Sequence, residues 1–259
     1  MTDISNERRY ITSNIIYERD CLYNLIDKKI KKISRKNWHT ILNELNWEKM
    51  DYGWRRRLKE KNIHNSCFAI MDSDSDGNCM FSSIAESINK NNEYSNEYCD
   101  SLISDDIRNI TAQQITKENF RQILESYITQ VECDEFDGEW DPNEIDTVDK
   151  LKDVIKTDGN TFWGDHIALQ LISKKLNIKF IILNSCKNNY SNLLNRYKVY
   201  LLGESIQEDY KYIILHYKDD IHFQLVGYFN GNKMITIFTY NDLPKILIEV
   251  FENDKNNIV

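Results

Sequence analysis

The sequence predicts an α+β fold, because helical segments precede a mostly sequential set of strands. Apolar residues at three-to-four spacing, typical of helices, recur in the earlier part of the chain. Apolar strand segments follow one another later, with turn signals such as Asn230 and Gly231 between the last two. With 259 residues and 41% hydrophobic residues, the chain is large enough to bury a substantial core.

Residues 1–65 are predicted to form a helical extension that packs on the main domain. The apolar residues at helical spacing are Ile15, Ile16, Cys21, Leu22, Leu25, Ile26 and Ile30. The extension also carries two basic segments, 28–36 and 55–57, which contact with an acidic partner or nuclear import would explain. Solvated helix surfaces explain them more simply, and we assign them no function.

The main domain is expected to span residues 66–230, with a strand and a helix from 231–259 packed on it. A short strand, Cys67–Met71, leads through a polar turn into a helix that begins near Cys79. Helical patterns follow at 99–115, 117–130 and 166–176, with an acidic loop at 134–146. Further strands are predicted at 178–183, 196–202, 210–217, 222–229 and 233–238, and a final helix near Asp242, with Pro244 in its first turn.

Composition narrows the functional classes. The net charge of -8 argues against a protein that binds nucleic acid through phosphate contacts. No apolar run reaches the roughly 18 residues of a membrane span, and the N-terminus lacks an apolar signal core. The six cysteines form no CxxC pair or dense framework, which favours reduced thiols. We therefore expect a soluble, intracellular protein in a reducing compartment, the cytoplasm or nucleus, with no membrane partner.

Cys79 is the candidate nucleophile. It follows a polar loop where a helix begins, and the unpaired amides and dipole of a helix N-terminus favour a thiolate over a thiol. Amides of the same turn, at Gly77 and Asn78, are candidates to stabilise an oxyanion, and Gly77 allows close backbone approach. A buried structural cysteine at a helix start is the alternative interpretation.

His222 is the best placed of the five histidines to act as general base. His39 and His64 lie in the extension, and His216 is interpreted as a strand residue. Strand alternation puts His222 and Gln224 on one face, where the Gln224 amide can fix the tautomer of the imidazole. A half-exposed strand histidine without a chemical role is the alternative.

At this point the residues resemble the ovarian tumour (OTU) family of deubiquitinating cysteine proteases. The nucleophile segment DGNCMF at 76–81, with Ile84 following, resembles the family's DGNC(L/M)F motif. The segment WGDHIALQLISKKLNIKFIIL at 163–183 resembles its central Trp-Gly block, and HFQLV at 222–226 resembles its terminal histidine motif. The three motifs occur in family order within roughly residues 66–230.

The resemblance implies a papain-like thiol peptidase, with a central, mostly antiparallel sheet flanked by helices, that cleaves after the C-terminal glycine of ubiquitin or a ubiquitin-like protein. Cys79 takes the place of the family's nucleophile and His222 that of its base. Asp76 matches the acidic residue three before the nucleophile, and Gln224 stands where the family frequently has Asn or Asp. Whether Asp76 or Gln224 orients His222 stays open, and the implied chemistry needs no cofactor.

Two further features receive no catalytic role. His166 lies in the Trp-Gly block but belongs to a helical pattern, and similar blocks in the family carry a histidine there without catalytic duty. Asp72, Asp74, Asp76 and Gly77 reproduce the start of a calcium-binding loop. The twelfth position of that loop is Ser83, which has no bidentate carboxylate, so no metal site is predicted.

Two other functions remain open at this stage. One is a ubiquitin-binding module with an OTU-like fold that no longer cleaves, although the presence of both Cys79 and His222 argues against it. The other is a thiol hydrolase that acts on small amides. The preferred ubiquitin linkage and the choice between ubiquitin and its relatives depend on surfaces that the sequence does not locate.

Overall fold

The computed structural model describes residues 9–12, 14–18, 21–60, 66–73, 76–92, 101–186, 197–203 and 205–256. His64 and Asp74, considered above, and the sixth cysteine, Cys99, lie outside these ranges. Within them, none of the helices combines the length and apolar character needed to cross a membrane. The described cysteines, Cys21, Cys67, Cys79, Cys133 and Cys186, are free thiols.

The first part of the chain forms an antiparallel sheet, so the predicted helical extension is wrong here. Its strands, in spatial order, are β1 (Arg9–Thr12), β2 (Ile15–Glu18), β3 (Cys21–Ile26) and β4 (Lys29–Lys32). Asp27 and Lys28, with φ of 48° and 63°, form the tight turn between β3 and β4. Helical spacing was misleading because it joined apolar residues across turns, whereas burial alternates along β3, with Leu22 and Asn24 inside.

The remainder of the extension belongs to the main core. It comprises α1 (Trp38–Ile41), a 3-10 turn (Leu42–Leu45), β5 (Trp47–Lys49) and α2 (Tyr52–Arg57). Trp38, Trp47 and Trp54 are each at most 2% exposed and pack in one cluster with the central strands. Burial of three indoles at this junction makes the N-terminal segment a structural part of the fold.

The central sheet follows the order β5-β6-β10-β9-β7-β8. Its remaining strands are β6 (Phe68–Met71), β7 (Ile178–Ser185), β8 (Tyr197–Leu201), β9 (Lys211–Lys218) and β10 (His222–Phe229). The short strands β11 (Met234–Ile235) and β12 (Ile237–Phe238) pair with β10 and β9. Only the β7–β9 pair among these is parallel, which confirms the expected α+β fold with a mostly antiparallel sheet.

Helices and the N-terminal segment cover both faces of this sheet. The longer helices are α3 (Cys79–Asn92), α4 (Ser104–Gln113), α5 (Phe120–Glu132), α6 (Val148–Lys156), α7 (His166–Leu176) and α8 (Lys245–Asn256). On β9, Tyr212 and Ile214 face the cluster that contains the N-terminal tryptophans, whereas Ile213 and Leu215 face the cluster that contains α3 and α7. Two-sided burial explains why β9 is continuously apolar.

Most predicted elements after residue 66 are confirmed, with small differences at their ends. The helix predicted at 166–176 spans His166–Leu176, and the Asp165 side chain caps it by accepting a hydrogen bond from the Ala168 amide at 2.8 Å. Helix α6 was not predicted; the Thr147 side chain caps it. The segment 233–238 forms two short strands, since Thr236 between them exchanges hydrogen bonds with Ser87.

The basic segment 55–57 is only partly a solvated surface. Arg57 forms a buried ion pair with Asp254 of α8, with 2.6 Å between Nη2 and Oδ1. The other oxygen of Asp254 accepts a hydrogen bond from the Val199 amide of β8 at 2.8 Å. The pair therefore ties the N-terminal segment and the C-terminal helix to the same edge of the sheet.

Gly227 provides a test of this shared core. A Cβ atom at Gly227 would lie 2.6 Å from Cη2 of Trp47, so we expect Gly227→Ala to lower the free energy of unfolding by about 1–3 kcal/mol through overpacking. The cost should fall in a Trp47→Phe background, which lacks that atom, but not in a Trp38→Phe background. Urea unfolding measures the free energy of unfolding in each background. An equal loss on Gly227→Ala in all backgrounds would contradict direct packing of β5 on β10.

Candidate active site

A turn at Gly77 places Cys79 at the start of α3. Gly77 has φ of +85°, and a Cβ there would lie 2.3 Å from the carbonyl oxygen of Gly159, so only glycine fits. The helix begins with a hydrogen bond from the Ser82 amide to the Asn78 carbonyl at 2.8 Å. Cys79 is 5% exposed, and its thiol accepts a hydrogen bond from the Phe223 amide of β10 at 3.5 Å.

Arg108 of α4 holds this turn from inside the protein. Its fully buried guanidinium donates to the Asn78 side chain at 2.9 Å and to the Gly77 carbonyl at 3.2 Å. It also donates to the carbonyls of Ile155, Gly159 and Phe162. Burial lowers the pKa of Arg108, while nearby carboxylates such as Asp158 act in the opposite direction.

Asp76 also holds the turn and does not bond to the base. Its two carboxylate oxygens accept hydrogen bonds from the Asn78 amide at 3.0 Å and from the Asn78 side chain at 3.1 Å. Burial tends to raise the pKa of Asp76, but the hydrogen bonds from Asn78 outweigh it and the pKa lies below its ordinary value. The Asn78 amide is therefore already engaged, which leaves Gly77 as the oxyanion candidate of the two.

His222 begins β10 beside the thiol. A hydrogen bond with Cys79 raises the pKa of His222; burial opposes this, and a hydrogen bond with Asp72 adds to it, so the pKa lies above its ordinary value. Nε2 of the imidazole lies 2.7 Å from Oδ1 of Asp72, which leaves Nδ1 for the thiol. The Cys79 and His222 side chains, which the sequence predicts to act together, thus lie next to each other.

Asp72 is the site residue that the sequence analysis missed. It directly follows β6, which pairs with β10, and this pairing brings its carboxylate to His222. Burial tends to raise the pKa of Asp72, but hydrogen bonds from Gln224 and His222 outweigh it and the pKa lies below its ordinary value. The available signal was an acidic residue at the end of a predicted strand, but the sequence contains no information about which strand lies next to it.

Gln224 shares a face with His222 as predicted, but it contacts the acid rather than the base. Its Nε2 donates to Oδ1 of Asp72 at 2.8 Å, and its Oε1 lies 2.7 Å from Nδ1 of His216. The residue that orients His222 is therefore neither Asp76 nor Gln224, the two candidates from the sequence, but Asp72. Asp72 bonds directly to the imidazole, and Gln224 acts one step behind it.

A groove of ≈ 580 Å³ leads to Cys79. Acidic residues along it are Glu135, Asp137, Glu139, Asp165 and Asp220, and aromatic residues are Tyr127, Phe136, Trp140, Phe162, Trp163, Tyr217 and Phe223. The Tyr217 and Phe223 rings stack with centroids 4.5 Å apart. His166, exposed at the start of α7, also lines the groove. The combination favours a chain with basic side chains.

A thiol at a helix start, an imidazole beside it and a carboxylate bonded to the imidazole form the arrangement that thiol hydrolases use. Among the residues with described positions, no group of three or more His, Cys, Asp or Glu side chains is arranged to hold a metal ion. The chain belongs to the family of OTU-like cysteine proteases, whose model matches residues 74–223.

The chain is also similar to several solved structures. An OTU deubiquitinase from Wolbachia pipientis wMel bound to ubiquitin is 16% identical, over 64% of this chain and 99% of that chain, with a TM-score of 0.43. The Hazara virus OTU bound to ubiquitin is 16% identical, over 62% and 82%, with a TM-score of 0.37. The OTUD1 OTU domain is 13% identical, over 67% and 91%, with a TM-score of 0.43.

Membership of the family rests on the sequence match over residues 74–223, because the TM-scores of these three structures are below 0.5. A comparison with curated proteins finds no match.

Titration of His222 distinguishes Asp72 from Asp76 as the carboxylate that interacts with the imidazole. We expect Asp72→Asn to lower the pKa of His222, because the carboxylate that stabilises the imidazolium is lost. Asp76→Asn is the matched control and should leave this pKa unchanged, since Asp76 bonds to Asn78. NMR titration of the imidazole, assigned with His222→Gln, measures the effect; a fall in the Asp76 variant alone would reverse the assignment.

Arg108→Lys tests the buried guanidinium. A lysine keeps the positive charge but cannot reach five acceptors, so buried carbonyls lose their donors. We expect the free energy of unfolding to fall by about 2–5 kcal/mol, measured by urea denaturation. Arg121→Lys, on the exposed surface of α5, is the control and should cost little. Equal stability of the two variants would refute the role of Arg108.

Proposed function

We propose that this protein is a deubiquitinase that hydrolyses the peptide or isopeptide bond after the C-terminal glycine of ubiquitin or a ubiquitin-like protein. The observation that carries the proposal is the arrangement of Cys79, which lines the groove, beside His222, which is bonded to Asp72. Membership of the OTU-like cysteine proteases supports the reaction class. The solved OTU structures that contain ubiquitin make ubiquitin the first substrate to test.

The proposed reaction begins with proton transfer from the Cys79 thiol to His222. The thiolate attacks the carbonyl carbon of the substrate glycine, and the resulting oxyanion is stabilised by backbone amides at the start of α3, with Gly77 as a candidate donor. His222 then gives its proton to the leaving amine, and the C–N bond breaks to leave a thioester on Cys79. Water, deprotonated by His222, attacks the thioester, and the thiolate leaves and recovers the proton.

Asp72 has an electrostatic role in this scheme. His222 is an imidazolium after the first transfer and again during hydrolysis of the thioester, and a carboxylate 2.7 Å from Nε2 stabilises that charge. The same hydrogen bond holds Nδ1 toward the thiol. Because the pKa of Asp72 lies below its ordinary value, the carboxylate is ionised at neutral pH.

The groove supports a peptide tail as the substrate. Glu135, Asp137, Glu139 and Asp220 line it, so basic side chains would be attracted. Large aromatic side chains surround the approach to Cys79, which favours small residues next to the cleaved bond. A flexible tail that ends in glycine meets both conditions.

A ubiquitin-binding module without activity is the second candidate, and the groove alone would serve it equally well. The position of His222 between the Cys79 thiol and the Asp72 carboxylate, to which it is bonded, favours the enzyme, since binding does not require this arrangement. A thiol hydrolase of small amides would use the same three residues but would not require the acidic groove.

The test is incubation with a panel of di-ubiquitins and ubiquitin-like fusions, with Cys79→Ala as control. We expect cleavage by the natural chain and at least about a thousandfold loss in Cys79→Ala, because the nucleophile is removed. Cys79→Ala should keep its thermal stability, since alanine is well tolerated at a helix start.

Ubiquitin with an electrophile at its C-terminus distinguishes the alternatives. Labelling at Cys79 supports a deubiquitinase. Binding of ubiquitin without labelling or cleavage supports the silent module. Hydrolysis of small amides without labelling supports the third candidate. Cleavage of di-ubiquitin that persists in Cys79→Ala would refute the assignment of the nucleophile.

A further inference from the structure

A second histidine, His216, lies behind the proposed active site on β9. It is 2% exposed and stands directly opposite Gln224 in the register of β9 and β10. Its Nδ1 is 2.7 Å from Oε1 of Gln224, and its Nε2 is 2.9 Å from Oγ of Ser185 on β7. Gln224 in turn bonds to Asp72. A continuous series of hydrogen bonds therefore runs from Ser185 in the core to the imidazole of His222.

The Asp72 carboxylate determines which atom donates in every hydrogen bond of this series. An ionised carboxylate only accepts, so Gln224 must present its Nε2 to Asp72 and its Oε1 to His216. Since Oε1 only accepts, Nδ1 of His216 must carry a proton. In a neutral ring Nε2 is then an acceptor, and the Ser185 hydroxyl donates to it.

The surroundings of His216 keep its ring neutral and fixed. Burial lowers the pKa of His216, and the hydrogen bond with Gln224 acts in the opposite direction. The charged groups that act on the ring are Asp51, Lys218 and Asp219. The indole of Trp54, from the N-terminal segment, packs edge-on against it with centroids 6.4 Å apart. A neutral imidazole in this place has one proton, which points at Gln224.

Asp72 needs such support because its side chain is 63% exposed. A carboxylate on the surface gains by turning toward water, and ordering it has an entropic cost. Gln224, in contrast, is 2% exposed and presents its amide from the core. If the amide of Gln224 were reversed, Oε1 would face the carboxylate and repel it.

We propose that His216 is a positioning residue for the active site: its Nδ1–H fixes the amide of Gln224 and so holds Asp72 against His222. His216 touches no reacting atom and acts only through its neighbours. The inference rests on the proposed function in taking Cys79 and His222 as the reacting pair. It also gives the N-terminal segment a part in the site, because Trp54 covers the ring.

Two isosteric substitutions distinguish the contributions of the two nitrogen atoms of the His216 ring. The side-chain NH₂ of asparagine occupies the place of Nδ1, so His216→Asn keeps a donor for Gln224 and loses the contact with Ser185. The amide of glutamine occupies the place of Nε2, so His216→Gln keeps the contact with Ser185 and loses the donor. Both variants remove the ring that packs on Trp54, so their losses of thermal stability should match.

Two measurements are made on each variant. In cleavage of di-ubiquitin, His216→Gln should lower kcat about tenfold with KM unchanged, and His216→Asn should lower kcat less than about threefold. In NMR titration, which needs no ubiquitin, the pKa of His222 should fall in His216→Gln and stay near its original value in His216→Asn. The titration therefore tests the positioning role even if the protein fails to cleave ubiquitin.

Equal effects of the two substitutions on the pKa of His222 would overturn the proposal, as would no effect of either. Ser185→Ala provides a milder variant if the His216 substitutions do not fold. It removes only the contact at Nε2 and leaves the Nδ1–H bond with Gln224 in place, so the pKa of His222 should stay near its original value, as in His216→Asn. A fall in the pKa of His222 in Ser185→Ala would overturn the proposal, because the support of Asp72 would then depend on Nε2 of His216 and not on Nδ1.

Discussion

The candidate active site depends on the buried guanidinium of Arg108. It bonds to the turn that carries Cys79, to the end of α6 and to the segment before the Trp-Gly block, so three separate parts of the chain meet around it. The Phe81 ring packs 4.3 Å from the same guanidinium. A buried charge is costly unless every donor is used, and this requirement leaves the turn only one arrangement. The position of the thiol follows from it.

The second constraint is the pairing of β6, β10 and β9. Strand β10 lies between the other two, so one face of it meets the end of β6 at Asp72 and the middle of β9 at His216. Backbone hydrogen bonds fix the register of these strands. A slip by one residue would turn His222 and Gln224 to the opposite face. The order of the polar side chains thus comes from the sheet, and their hydrogen bonds follow.

The N-terminal segment supports the same strands through two of its tryptophans. Trp47 packs on Gly227 of β10, and Trp54 packs on His216 of β9, so both strands of the site are backed by indoles from one segment. Arg57 adds an ion pair with α8. The segment that was predicted to be an extension packed on the main domain is therefore continuous with the core of the protein.

The sequence alone determined the α+β class and most of the strands and helices after residue 66, and it predicted the pair Cys79 and His222, because each is encoded locally by periodicity, a helix start or a motif. The N-terminal sheet was missed because short strands joined by turns mimic helical spacing. Asp72 and the roles of Asp76, Gln224 and His216 were decided only by tertiary structure. Each depends on which strand lies beside which, and that choice is made by long-range backbone pairing and shared burial, neither of which leaves a local pattern in the chain.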